Sequence, residues 1–402
     1  MHEFDLLAFA LALLGYGLLS RRLQAHFVTP PMFFAAVGLL IGPALANACE
    51  VSLNDAIVTV VAELTLALML FNEASTIDVR SLAKERAAPI RMLVIGLPLA
   101  VLFGGLAGLL LLPDLGLWPT FLLAALLAPT DAALGQSVVE SEDVPESTRR
   151  TIEVESGLND GLALPGVLAL AGLASTTEME ASVSLPTFLA LQLTLGPLVG
   201  LLVGRVGGLL TERSVRAGWM GEEWQRLVGV GLALGSYSLA ESVGGNGFVA
   251  AFTGGMALTM GSEQMHHRIH AYGQTLADQL ALLLFMVFGA TSLPLAALDL
   301  SAWLYAAASL TVVRIGAIAL SLLGAGVDAR TTLFMGWFGP RGLASILFAV
   351  VAVERSEFPE LERVLSIVYL VVGLSIVLHG VSAIPLSRWL GRSVGAGTSI
   401  KA

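Results

Sequence analysis

The stretch AALLAPTDAALGQSVVESEDVPESTRRTIEVESGLNDGLALP, Ala124 to Pro165, sets two acids, Asp131 and Asp160, inside runs apolar enough to lie in a bilayer. A carboxylate at bilayer depth costs ~2.5–3.5 kcal/mol on insertion scales, so such groups face a protein interior or an aqueous cavity and carry a function. The rest of the chain settles whether those runs are membrane spans.

The 402 residues are 56% hydrophobic and 13% charged, with a mean hydropathy of +0.82. Soluble domains carry about 25% charged residues. Thirteen apolar runs approach the length needed to cross ~30 Å of hydrocarbon. They are 4–20, 31–48, 56–73, 88–112, 119–138, 150–175, 185–204, 226–243, 246–261, 272–292, 302–324, 331–353 and 364–387. The expectation is an all-α polytopic membrane protein in one membrane domain, with no nucleic-acid partner. Of 21 basic residues, 17 fall on one side: Arg21, Arg22, Arg80, Lys84, Arg86, Arg91, Arg149, Arg150, Arg205, Arg213, Arg216, Arg226, Arg268, Arg330, Arg388, Arg392 and Lys401. The other side holds Arg355 and Arg363, and Arg314 and Arg341 lie within spans. The positive-inside rule then puts the N-terminus outside and the C-terminus in the cytoplasm of a cell inner or plasma membrane. The leader MHEFD is acidic and Arg21-Arg22 stand where a cleavage site would be, so the first run reads as a retained helix. Cys49 is the single cysteine, which excludes an intrachain disulfide. The 43 glycines suit close packing of helices in lipid.

Pro129 interrupts the fifth run and Pro340, in WFGPRG, the twelfth. Each removes a helical hydrogen bond and clashes with the preceding turn. If runs 1–6 and 8–13 are two halves, both prolines sit in the fifth helix of a half. Matching interruptions are the sequence mark of inverted repeats around a midplane site. The seventh run is then an unpaired linker, and similarity between the halves is not visible residue by residue.

In the sixth run, EVESGLNDG (Glu153 to Gly161) places Ser156 with Asp160, and Glu155 with Asn159, at i,i+4 spacing on adjacent helix faces. Thr130 and Asp131 follow the proline of the fifth, and MLFNEAS adds Asn72 and Glu73 at the end of the third. This is an oxygen set that suits a hard monovalent cation better than the softer metals that His and Cys favour. Arg314 is flanked by about ten apolar positions on either side. It therefore needs a buried partner; Glu155 is the leading candidate, with Glu153 and Asp278 as competitors. Arg341, beside Pro340, is suited to freed carbonyls or helix-end charge. Glu63 reads as an acid facing a helix interface or a water cavity, Glu241 as a helix-end acid and Asp278 as an interface acid. His266, His267 and His270 read as a solvated loop face, and His379 as a packing residue.

PTD in the fifth helix, ESGLND in the sixth, FNEAS in the third and GPRG in the twelfth resemble the sodium/proton antiporters of the NhaP/NHE type, in the cation:proton antiporter superfamily. The resemblance runs from Ala62 to Gly380. It implies a homodimer of thirteen-helix protomers with crossed, unwound helices five and twelve. A core bundle would comprise roughly 88–175 and 272–387, and dimerisation helices roughly 1–73 and 185–261. The short cytoplasmic tail leaves no soluble regulatory domain expected. The family's Na+ ligands fall on Glu73, Thr130, Asp131, Ser156 and Asp160, with Asn159 nearby, and its buried acid–arginine bridge on Glu155 and Arg314. Ala132 and Ala133 depart from the relatives.

The activity implied is exchange of Na+ or Li+ for H+, with K+ or a broader range of monovalent cations as the alternative. No enzymatic activity and no cofactor are expected. Asn159 stands where electrogenic relatives carry a second Asp, which implies one-for-one, electroneutral exchange. An intramembrane aspartyl protease would show G-x-G-D and Y-D motifs, and neither occurs. A channel would show a repeated carbonyl filter, and none is visible.

Overall fold

A computed structural model describes residues 3–25, 28–43, 56–76, 88–175, 185–259, 263–291, 298–355 and 358–398. Cys49, Arg80, Lys84, Arg86 and Lys401 lie outside these residues, as do the side chains of His266, His267, Arg268 and His270.

Every regular element among the described residues is helical, and the described residues of each of the thirteen apolar runs are mostly helix. Among the described residues, eight helices are individually long and apolar enough to cross a membrane. The shorter apolar helices include the pieces of the two interrupted spans, Leu117–Leu126 and Leu343–Ala352. Large side chains such as Leu18 and Leu110 are more than four-fifths exposed, as suits a surface turned to lipid. Leu66, Leu70, Phe71, Phe248, Phe285 and Phe348 are fully buried, and they form the centre where the third, ninth, tenth and twelfth spans meet.

Several helices extend beyond their apolar runs. The sixth is Glu146–Ala174, the seventh Leu185–Arg216 and the last Leu361–Thr398. Hydropathy marks the depth of the bilayer, whereas a helix continues into water until its backbone is capped. The seventh span is no isolated linker. It lies along the ninth, Gly247–Thr259, with the backbones so close that a Cβ at Gly200 or Gly204 would run into the carbonyls of Ala250 and Gly254. The tenth span, Glu263–Ala290, packs chiefly on the second, third and eighth.

The halves share more than their prolines. The fourth span, Ala88–Leu111, contains a π-helical turn at Met92–Gly96. The eleventh, Leu300–Ser321, contains one at Ser309–Val313. These are the fourth helices of the two halves. A π turn inserts one residue without changing apolar character, so the sequence pattern conceals it. Side chains bind the ends of the halves together. Arg91 donates to the carbonyls of Ser321 (2.8 Å) and Leu323 (2.6 Å) at one face. At the other, Arg363 bridges Asp114 (2.7 Å) and Asp299 (3.0 Å). Asp299 also caps the eleventh span, and hydrogen bonds from the Ser301 hydroxyl and the Ala302 amide hold its carboxyl below its ordinary range.

Candidate functional site

The fifth span is two half-helices, Leu117–Leu126 and Ala132–Val139, and the twelfth is Ala329–Trp337 and Leu343–Arg355. The prolines lie in the non-helical segments between them, and the two breaks touch. The Asp131 amide donates to the Pro340 carbonyl at 2.8 Å. The Asp131 carboxylate accepts the Leu134 amide on Oδ1 (3.1 Å) and the Leu343 amide on Oδ2 (2.6 Å). One buried carboxylate therefore caps two helix N-termini at once, where amide groups and helix dipoles favour negative charge. Gly342 makes this possible, since a Cβ there would overlap the Asp131 carboxylate. Gly342→Ala should pull the breaks apart and destabilise the protein by about 1–3 kcal/mol. A thermal melt in detergent checks this, and an unchanged midpoint would refute the close fit.

The sixth span brings up the rest. Glu155, Ser156, Asn159 and Asp160 are all buried on it. Thr130 Oγ1, in the fifth-span break, lies 3.0 Å from Ser156 Oγ and 3.2 Å from Glu155 Oε2. It accepts the Asn159 amide nitrogen at 2.6 Å, and that nitrogen also approaches Glu155 Oε1 at 3.4 Å. Arg314 Nη2 donates to both Glu155 oxygens at 3.0 Å, with both side chains 1% exposed. The competitor Glu153 is exposed instead. Arg314 follows directly on the π turn of the eleventh span and packs so closely on Gly339 that a Cβ there would meet the guanidinium. Arg341 Nη1 donates to the Gly339 carbonyl, one of the groups freed by the break.

Asp160 and Glu73 are set differently. Asp160 Oδ1 and Glu73 Oε2 are buried with no hydrogen-bond partner among the described residues. Glu73, Asp131 and Asp160 are near enough to repel one another. Even so, no three His, Cys, Asp or Glu side chains among the described residues converge as a metal-binding group. A cation here would therefore draw on hydroxyl and carbonyl oxygen beside the acids. Asp278 bonds Gln274 at 2.8 Å on the exposed face of the tenth span, close enough to Glu73 to add to the negative field.

Sequence spacing missed several participants. Gly342, Ser375 and His379 all act on the breaks. Tyr305 and Ser345 are buried with hydroxyls lacking hydrogen-bond partners among the described residues. Only Gly342 had a signal, its place in GPRG; the others lie on apolar helices with no marking neighbour.

A many-span membrane protein in which two interrupted helices meet beside buried acids has the architecture of the broken-helix transporters. The profile of the family described as "Sodium/hydrogen exchanger, transmembrane" matches residues 9–389, and the chain belongs to that family. It is 26% identical, over 93% of its length, to the K(+)/H(+) antiporter NhaP of Alkalimonas amylolytica. It is 25% identical, over 88% of its length, to the Na(+)/H(+) antiporter NhaH of Halobacillus dabanensis. The chain spans 64% of the length of the first relative and 90% of that of the second. Its fold is similar to that of the sodium proton antiporter MjNhaP1 from Methanocaldococcus jannaschii, with a TM-score of 0.76 at 20% identity, covering 96% of this chain and 99% of that one.

Proposed function

We propose that this chain is a secondary antiporter that exchanges Na+ or Li+ for H+ across the membrane, with cation and proton competing for one pocket. The observation that carries the reading is the buried Asp160 carboxylate, with an oxygen left without a partner among the described residues, on the same helix as Ser156, which meets the fifth-span break through Thr130. Ser156, Thr130 and Glu73 would complete the oxygen set around the ion. Asp131 belongs to the same pocket, but its charge is first engaged by the helix ends, so Asp160 is the acid that changes occupant. Protonation of Asp160 removes the charge that holds the ion, and ion binding expels the proton. An empty, doubly charged pocket would be costly to move past low-dielectric surroundings. Only occupied states then reorient, which couples the two flows.

Asn159 supports one-for-one exchange. Its amide nitrogen serves as a donor to Thr130 and Glu155, a role a carboxylate could not fill, and it adds no charge to the site. Exchange of one proton per monovalent cation moves no net charge, so a membrane potential, worth ~2.3 kcal/mol per charge per 100 mV, should not drive it. Purified protein in sealed vesicles, with an internal pH dye and each alkali cation in turn, tests the proposal with and without a potential clamp. Proton movement on cation addition, unaffected by the clamp, is the expected result. Current, or a strong response to potential, would overturn the stoichiometry.

K+ is the alternative ion, favoured by the relative named a K(+)/H(+) antiporter; the same cation series decides between them. The proposal includes assembly as a homodimer and a cytoplasmic C-terminus. It further divides the protomer into two bodies that rock against each other, with spans four to six and eleven to thirteen carrying Thr130, Asp131, Ser156 and Asp160 and the third span of the other body bringing Glu73. The tenth span joins them, since it packs on the second and third spans and also reaches Leu343–Arg355.

A further inference from the structure

We propose that Ser375 and His379, on the last helix, are positioning residues for the exchange: they clasp the twelfth-span break from both sides and through it fix Asp131. The inference rests on the antiport reading. Both side chains are buried, His379 to 1% exposure. They lie at i,i+4 on Leu361–Thr398, so one helix face presents both to the break.

The hydrogen bonds form a connected chain. The Arg341 amide, within the break and just past Pro340, donates to Ser375 Oγ at 2.7 Å. Ser375 Oγ lies 3.1 Å from His379 Nδ1. His379 Nε2 lies 2.9 Å from the carbonyl of Trp337, the last residue of the half-helix before the break. Nδ1 also lies 3.0 Å from the Ser375 backbone carbonyl, so each ring nitrogen faces a carbonyl. A carbonyl cannot donate, so the proton of the neutral ring bonds one carbonyl or the other. The clasp runs from the Arg341 amide through Ser375 and His379 to Trp337 and ties both sides of the break to the last helix. Trp337 reinforces the clasp: its ring stacks on the imidazole at 5.1 Å, and its Nε1 donates to Ser382 Oγ at 2.9 Å.

The residues that hold Asp131 lie between these anchors and just past the second. Pro340 accepts its amide, and Leu343 donates to its carboxylate. A break free to shift at Trp337 and Arg341 cannot keep that carboxylate in register with the sixth span. His379 thus acts on the pocket through the backbone and Asp131, without touching the ion.

Wild type, His379→Ala, His379→Gln, Ser375→Ala and the Ser375→Ala/His379→Ala pair should be compared in the vesicle assay. The readouts are the apparent KM for the cation, the maximal rate and the melting temperature of the detergent-solubilised protein. Each alanine variant should raise KM about fivefold, the scale of one neutral hydrogen bond, with less effect on the maximal rate. The pair should be no worse than about either single variant, because both cut one chain. Gln, whose amide nitrogen can still reach the Trp337 carbonyl, should recover much of the loss. An unchanged KM in variants of an actively exchanging wild type overturns the inference, as does a lowered melting temperature with KM unmoved, or effects that simply add. A wild type that exchanges nothing removes the antiport reading itself, and this inference with it. If His379→Ala does not fold, Ser375→Ala and His379→Gln carry the comparison.

Discussion

Asp160→Asn should yield a stably folded protein whose exchange falls to the level of protein-free vesicles. The asparagine keeps the size of the side chain and removes its charge. Asp160 Oδ1 has no donor to lose among the described residues, and removing an uncompensated buried charge does not weaken a fold. The melting temperature should therefore hold or rise. Transport is another matter, because the amide neither binds a proton near neutral pH nor offers a cation a full negative charge. With Asp131 bound by the amides of Leu134 and Leu343, Asp160 and Glu73 are the pocket acids left to change occupant, and only Asp160 shares its helix with Ser156 and Asn159. Wild-type rates in this variant, measured beside an intact melting curve, would remove Asp160 from the mechanism.

The largest effect on stability should come from dividing the Glu155–Arg314 pair. Both partners are essentially removed from solvent, and Arg314 Nη2 serves both carboxylate oxygens. Desolvation of such a pair offsets much of its attraction, so the bridge as a whole adds little. Removing one partner leaves a bare charge in a medium that cannot screen it, at a cost of about 3–5 kcal/mol. Arg314→Leu or Glu155→Leu alone should lower stability on that scale. The double variant should recover most of the loss, since no charge is stranded. Unfolding in detergent followed by intrinsic fluorescence measures all three. Single variants within about 1 kcal/mol of wild type would mean that solvent reaches the pair. Glu155 also meets Thr130 and Asn159, so the double variant should remain impaired in transport even where it folds.

Much of the site was legible because its chemistry is local in sequence. Glu155, Ser156, Asn159 and Asp160 share one helical turn and a little more, and spacing alone puts them on neighbouring faces. Pro129 and Pro340 marked the breaks because a proline inside a helix has few other consequences. Arg314 could be matched to Glu155 only as the strongest of several candidates, since nothing along the chain relates positions 159 residues apart. The roles within the pocket were less visible. Asp131 is expected as a ligand, and the structure also gives its carboxylate two helix ends to hold. Asn159 was expected beside the ion, and its nitrogen faces Thr130 and Glu155. His379 looked like packing because its partners are backbone carbonyls and a serine on the same helix, and backbone carries no sequence signature.

What the sequence determined by itself was the solvent. A chain this apolar, with acids and arginines confined to a few positions within its spans, must bury its backbone bonds in helices and turn those charges inward. The tertiary structure decided how the two interrupted helices meet, and therefore which acid is tied to helix ends and which is left open. Hydropathy acts residue by residue, whereas a hydrogen bond between distant backbones exists only once packing has brought them within 3 Å of each other.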